Sequence, residues 1–156
     1  MRLKNFDTER GSSAIELLVT GLLLLLPLTY LAISLGQIHS AMLAAEGGVR
    51  QAARLFVRAD SIQSAIRQSE IAMQLAFQNH ALDGTDYQLS VQCVSPAGLT
   101  MTTDVACLQP GNRIVVAVET QVLLPMIPGF IPSELVSIPI RAEAQQIVSK
   151  FAGAGQ

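Results

Sequence analysis

A long run of apolar residues dominates the first third of the chain. Residues 17–35 are almost entirely apolar, and no Asp, Glu, Lys or Arg occurs between Leu17 and Ala45. At about 1.5 Å per residue, some 20 helical residues cross a hydrocarbon core of roughly 30 Å. The pattern therefore predicts a membrane-spanning helix with one acidic residue, Glu16, at its edge. A carboxylate there costs free energy unless it has a partner, which makes Glu16 a candidate functional residue.

The helical pattern continues beyond the apolar run and becomes amphipathic. The helix is predicted to extend to residue 58, with Arg50, Arg54 and Arg58 spaced four apart on one face. Asp60-Ser61 predicts a break and a helix N-cap, and the apolar side of residues 62–80 predicts a second helix. One long helix without the break is the alternative.

Three later segments alternate between apolar and polar residues, as half-buried strands do. They are residues 87–93, 113–124 and 136–148, and Pro139 is expected at a sheet edge or near the start of its strand. The apolar, proline-rich residues 123–132 predict an irregular segment that packs on its own domain, the membrane or a partner subunit. The fold class is therefore α+β: a long N-terminal transmembrane helix that continues into a small antiparallel sheet domain.

The predicted organisation has four parts. Residues 1–11 form a polar leader, 12–58 the long helix, 59–150 an α+β head and 151–156 a disordered tail. Basic residues in the leader favour its retention in the cytoplasm, which puts the head outside. Cys93 and Cys107 flank the loop between the first two strands, and a pair of this kind in a small extracytoplasmic domain is expected to form a disulfide. Two buried thiols are the alternative.

Small residues recur at every fourth position along the middle of the long helix. In lipid, such a row lets helices approach closely, and close packing drives their association. The alternative is that Ala and Gly are simply common in this part of the chain. The row consists of Ala32, Gly36, Ser40, Ala44, Gly48 and Ala52.

Composition excludes several classes of function. The chain has 156 residues, half of them apolar, with 14% charged and a formal net charge of −2, so no basic patch is expected that could neutralise the phosphates of a nucleic acid. Two Cys and two His leave little material for a metal site. No nucleophile elbow, phosphate-binding loop or CxxC motif occurs. We therefore expect no enzymatic activity, no cofactor and no small-molecule substrate.

Three segments together resemble a known family. They are ERGSSAIE (residues 9–16), LLPLTYL (25–31) and EGGVRQAAR (46–54), so the resemblance covers roughly residues 9–58. A glycine, four small or apolar residues and a glutamate at the mouth of an apolar helix resemble the prepilin-peptidase site of type IV pilin-like proteins. The wider pattern is similar to the TadE-like family, the minor pilin-like proteins of tight-adherence (Flp-type) pilus systems.

The resemblance implies that a membrane peptidase cuts between Gly11 and Ser12 and removes the leader. Glu16 would then be the fifth mature residue and would pair with the N-terminal amine of a neighbouring subunit. The implied partners are the membrane, the prepilin peptidase, other pilin-like subunits and the pilus assembly machinery. The implied location is the cytoplasmic membrane, crossed once, with the N-terminus cytoplasmic and the head extracytoplasmic.

Two rival interpretations of the N-terminal helix stay open. A conventional signal peptide with a cleavage site at Ala32-Ile33-Ser34 would leave a secreted binding domain that starts near Leu35. A permanent single-span anchor would keep Met1 and never assemble. N-terminal sequencing separates these cases.

Overall fold

The computed structural model describes residues 9–82, 84–101, 103–125, 132 and 136–149. The expectations for the first eight residues of the leader, for the tail at 151–156 and for most of the proline-rich segment lie outside these residues. The described chain folds as α1 (Glu9–Phe56), α2 (Ile62–Asn79), β1 (Tyr87–Val94), β2 (Thr100–Met101), a 3-10 helix (Val105–Leu108), β3 (Arg113–Leu123) and β4 (Ser137–Ile147). The predicted α+β fold class is confirmed.

The chain forms two compact units, Met1–Gly36 and Gln37–Gln156, and α1 contributes to both. In the first unit, the large apolar side chains of α1 are exposed, as Leu17 at 75% and Leu23 at 72% illustrate. By length and composition, α1 is long and apolar enough to cross a membrane once. Two of its hydroxyls bond within the helix: Thr29 Oγ1 donates to the Leu25 carbonyl at 2.8 Å, and Ser34 Oγ donates to the Tyr30 carbonyl at 2.9 Å.

The second unit, which we call the head, begins at Gln37 rather than at the predicted residue 59. The reason is the amphipathic second half of α1, whose buried face forms part of the core. The buried residues of this face follow helical spacing: Ala41, Ala44, Ala45, Val49, Ala52, Ala53 and Phe56. The predicted break is confirmed, since α1 ends at Phe56 and the Ser61 hydroxyl caps α2 by accepting from the Ser64 amide at 3.3 Å.

A four-stranded antiparallel sheet in the order β2-β1-β3-β4 packs against the helices. Its core-facing side includes Ile114, Val116 and Val118, none of which is exposed to solvent. All three predicted strands are found within a few residues of their predicted bounds. Pro139 is the third residue of β4, which is an edge strand, as predicted. The sequence did not predict β2 or the 3-10 helix, because segments of two and four residues carry no measurable periodicity.

Candidate anchoring and assembly site

Glu16 lies exposed on α1 among apolar side chains. Its neighbours Ile15 and Leu17 are 64% and 75% exposed, and Glu16 makes no ion pair or hydrogen bond with any residue that the structure describes. A carboxylate in such apolar surroundings is stabilised by pairing with a cation. Glu16 is therefore a carboxylate without a counter-charge among the described residues.

Gly11 and Ser12 fall in the first turn of α1. Ser12 and Glu16 are four residues apart, so their Cα atoms share one side of the helix with a rise of about 6 Å between them. A new α-amino group at Ser12 would lie on the same side of the helix as Glu16. Gly11 also lowers the stability of this first helical turn, because glycine is a poor helix former.

The row of small residues divides between the two units. Ala32 and Gly36 are exposed, and no atom lies within 4 Å of the position that a Cβ on Gly36 would occupy. Ser40 is half-buried, whereas the remaining members, Ala44, Gly48 and Ala52, are buried in the head. Only the first part of the row is thus free to meet a neighbouring helix.

At Gly48, α1 lies close against α2. A Cβ at this position would lie 2.7 Å from Met73 Sδ and 3.1 Å from Ala76 Cβ. Ser69 reinforces the contact, since its buried hydroxyl lies 3.2 Å from the Ala52 carbonyl of α1 and 2.8 Å from the Ala65 carbonyl of α2. The later part of the row therefore makes a helix–helix contact within the chain itself.

Ser40 and His80 meet where the two helices come together at the end of α2. Ser40 Oγ lies 3.2 Å from His80 Nδ1 and 3.3 Å from the His80 carbonyl oxygen. The sequence gave no sign of the contact, because 40 residues separate Ser40 from His80. With both interactions at a helix C-cap, the contact ties the helical hairpin together.

The expected disulfide joins Cys93 of β1 to Cys107 of the 3-10 helix, so the alternative of two thiols is wrong. The Cα atoms are 5.5 Å apart, and neither cysteine is exposed. Hydrogen bonds support the bridged segment: Asn112 Nδ2 donates to the Ala106 carbonyl at 2.6 Å, and Asp104 Oδ1 accepts from the Ala106 amide at 2.9 Å. The bridge thereby fixes the 3-10 helix against the sheet.

The ring of Tyr87 in β1 stacks on Phe77 of α2, with centroids 5.1 Å apart. Burial raises the pKa of the Tyr87 hydroxyl above its ordinary value of 10.0, and the negative charge of Glu70 acts in the same direction. The aromatic pair joins helix and sheet. Among the described residues, no group of three or more His, Cys, Asp or Glu could hold a metal ion.

No protein-family model matches this chain, and the comparisons with curated proteins and with solved structures gave no match either. The similarity to TadE-like proteins therefore stays a prediction, which depends on the residues of the first 58 positions. The geometry of α1 and of the head adds physical observations that do not depend on that similarity.

Proposed function

We propose that the chain is a minor pilin-like subunit of the TadE-like kind, which serves the assembly of a tight-adherence pilus or a related secretion apparatus. One observation carries the proposal: an exposed carboxylate without a partner in the described chain, Glu16, stands at the start of an exposed apolar helix, one turn after Gly11-Ser12. The head supports the proposal, because it is built on the second half of the same helix and braced by a disulfide.

Processing would begin with local unwinding of the helix. A peptidase must reach the carbonyl of Gly11, and glycine allows the backbone to approach a tight active site without a Cβ in the way. Cleavage would release residues 1–11 and create a cationic amine at Ser12. In lipid, this amine and the carboxylate of Glu16 are each costly alone and less costly as a pair.

Assembly would then use the pairing between subunits. The Glu16 carboxylate of one subunit would form an ion pair with the Ser12 amine of the next. This pair would set the axial register of neighbouring helices. Ala32 and Gly36 would allow close approach at the exposed part of the small-residue row. The chain is a substrate and a structural part in this scheme, and it carries out no chemistry of its own.

The test of processing is intact mass and N-terminal sequencing of the protein extracted from membranes that contain a prepilin peptidase. We expect a mature chain that begins with Ser12. Gly11→Val should block cleavage. Gly21→Ala is the matched control and should not affect it, because no atom lies within 4 Å of the position that a Cβ on Gly21 would occupy. An uncleaved wild-type chain that begins with Met1 would contradict the processing step.

The test of assembly is co-isolation with other pilus subunits. Glu16→Gln keeps the size of the side chain but removes its charge, and we expect it to abolish incorporation. Glu46→Gln is the control, since Glu46 is an exposed acid of the head that pairs with Arg50 at 2.8 Å. Full incorporation of the Glu16→Gln variant would favour the permanent anchor instead.

A secreted domain is the second candidate, and one structural observation favours it. The head begins at Gln37, so that cleavage after Ser34 would release the whole compact unit. A mature chain that starts near Leu35 would establish this function and exclude the pilin-like one.

A further inference from the structure

An open pocket of about 220 Å³ lies between the end of α1 and the sheet. We call it the arginine pocket, because two arginines of α1 and the segment that follows it, Arg54 and Arg58, line it. A glutamine from the last turns of α1 and one from β4 face them. Its lining consists of Gln51, Arg54, Leu55, Val57, Arg58 and Gln146.

The two arginines of the pocket have no counter-charge among the described residues. Arg50, one turn earlier, pairs with Glu46, but Arg54 and Arg58 form no ion pair or hydrogen bond with a described residue. Like charges four residues apart repel each other. The negative end of the α1 macrodipole accounts for cations here but satisfies none of their N–H donors. The two exposed guanidinium groups therefore present their N–H donors to any anion that enters the pocket.

The pocket reaches β4 through Gln146, and β4 is the last strand in the order of the sheet. This strand has 11 residues and pairs with β3 along one side, and no described residue pairs with its other side. Pro139 removes one N–H donor near the start of the strand, but the part from Ile140 to Ile147 has no such block. An open strand edge offers backbone donors and acceptors to another extended chain.

The core-facing side chains of β4 are also incompletely covered. Ala142 and Ala144 are half-buried, although their cross-strand partners on β3, Val118 and Val116, are fully buried. Gln146 lies opposite the fully buried Ile114, so its side chain is on the same side of the sheet as the helices. An additional strand beside β4 would cover this surface and pass next to the arginine pocket.

We propose that the free edge of β4 and the arginine pocket together bind an extended acidic peptide segment of a neighbouring protein. The segment adds to the sheet beside β4 and places a carboxylate against Arg54 and Arg58. Main-chain hydrogen bonds supply the attachment, and the charge selects which segment binds. The proposed binding uses only residues of the head, so it does not depend on whether the chain enters a filament.

The lining favours a peptide over a phosphate group. The amides of Gln51 and Gln146 each present donors and an acceptor, and a peptide unit satisfies both kinds, whereas a phosphate offers mainly acceptors. Leu55 and Val57 add apolar contact for the aliphatic part of a side chain. The guanidinium fork binds carboxylates and phosphates alike, so the preference comes from the amides and the apolar side chains.

The test is a fluorescence-anisotropy titration of the full chain in zwitterionic detergent. The probe is a short labelled peptide of alternating valine and glutamate, and its comparison is the same peptide with glutamine in place of glutamate. We expect the acidic peptide to bind about tenfold more tightly, since charge-assisted hydrogen bonds are roughly twice as strong as neutral ones. We expect the double variant Arg54→Gln/Arg58→Gln to lose that difference.

The matched control is Arg67→Gln on α2, because Arg67 is exposed and has no partner among the described residues. This variant should bind the acidic peptide as the wild type does. Amide hydrogen exchange provides the second measurement: bound peptide should slow exchange in β4, and the double variant without peptide should keep the wild-type exchange pattern of the core.

Several outcomes would overturn the proposal. One is absence of binding by the acidic peptide, and another is equal binding of its glutamine analogue. Binding without protection of β4 would indicate a general anion site that does not use the strand edge. Displacement of the peptide by equimolar inorganic phosphate, or by vesicles of phosphatidylglycerol in place of detergent, would assign the pocket to phosphate groups or to a membrane surface.

Discussion

The contact between α1 and α2 at Gly48 can be tested with a pair of adjacent substitutions. Gly47 and Gly48 both lie in the interior of α1, so alanine at either site should gain about 0.8–1.0 kcal/mol of helix propensity. The surroundings of the two residues differ. No atom lies within 4 Å of a Cβ on Gly47, whereas a Cβ on Gly48 would be 2.7 Å from Met73 Sδ.

The magnitude follows from the two opposing effects. Met73 is flexible but fully buried. The Cβ of Ala76 would lie 3.1 Å from a Cβ on Gly48, and alanine has no side-chain torsion that could move it away. Inserting a methyl group into such a contact costs about 1–3 kcal/mol. Gly47→Ala should therefore stabilise the head by up to about 1 kcal/mol. Gly48→Ala should range from neutral to about 2 kcal/mol less stable than the wild type.

The assay is urea denaturation of the full chain in detergent with the disulfide intact, followed by far-ultraviolet circular dichroism. The free energy of unfolding should differ by about 1–3 kcal/mol between the two alanine variants, with an unchanged dependence on urea. Since both variants carry the same chemical change, their difference isolates the contact with α2. Equal stabilisation by both substitutions would refute the close packing of the helices at Gly48.

Three further predictions concern the head. Replacing Cys93 and Cys107 by alanine should lower the free energy of unfolding by about 3 kcal/mol, measured by urea denaturation, and an unchanged value would show that the bridge does not constrain the unfolded chain. Ser69→Ala should cost about 1 kcal/mol in the same assay, because the one proton of the buried hydroxyl lies between carbonyl acceptors of both helices. Tyr87 keeps its proton longer in the folded than in the unfolded state, since burial and Glu70 raise its pKa. The stability that the Tyr87 hydroxyl contributes is present below pH 10.0 and is lost as the pH rises through the raised pKa, so Tyr87→Phe should show a smaller alkaline loss in a pH series.

Much of the fold could be predicted from local patterns. Residues close together in the sequence predicted the apolar run, the cap at Ser61 and the alternation in β1, β3 and β4. All of these features appear in the structure. The disulfide was also predictable, since Cys93 and Cys107 are the only cysteines of the chain and flank one loop. The candidate site at Glu16 was visible because a charge interrupts an apolar sequence.

Other features could not be predicted because they depend on residues far apart in the chain. The spacing of small residues is the same at Gly36 and Gly48, yet only Gly48 meets another helix within the described chain. The arginines were predicted to lie four apart on one face of the helix, and nothing near them in the sequence indicated that Gln146 completes a pocket.

The sequence by itself determined which segments are helix or strand, which segment is apolar enough for a membrane and where the acidic residue stands in it. These properties follow from propensity, periodicity and hydrophobicity, which act between near neighbours. Only the tertiary structure decided that the head begins at Gln37, that Ser40 meets His80 and that β4 leaves an open edge beside two arginines. Those outcomes depend on how the helices pack on the sheet, because packing brings together residues whose separation in the sequence carries no periodic signal.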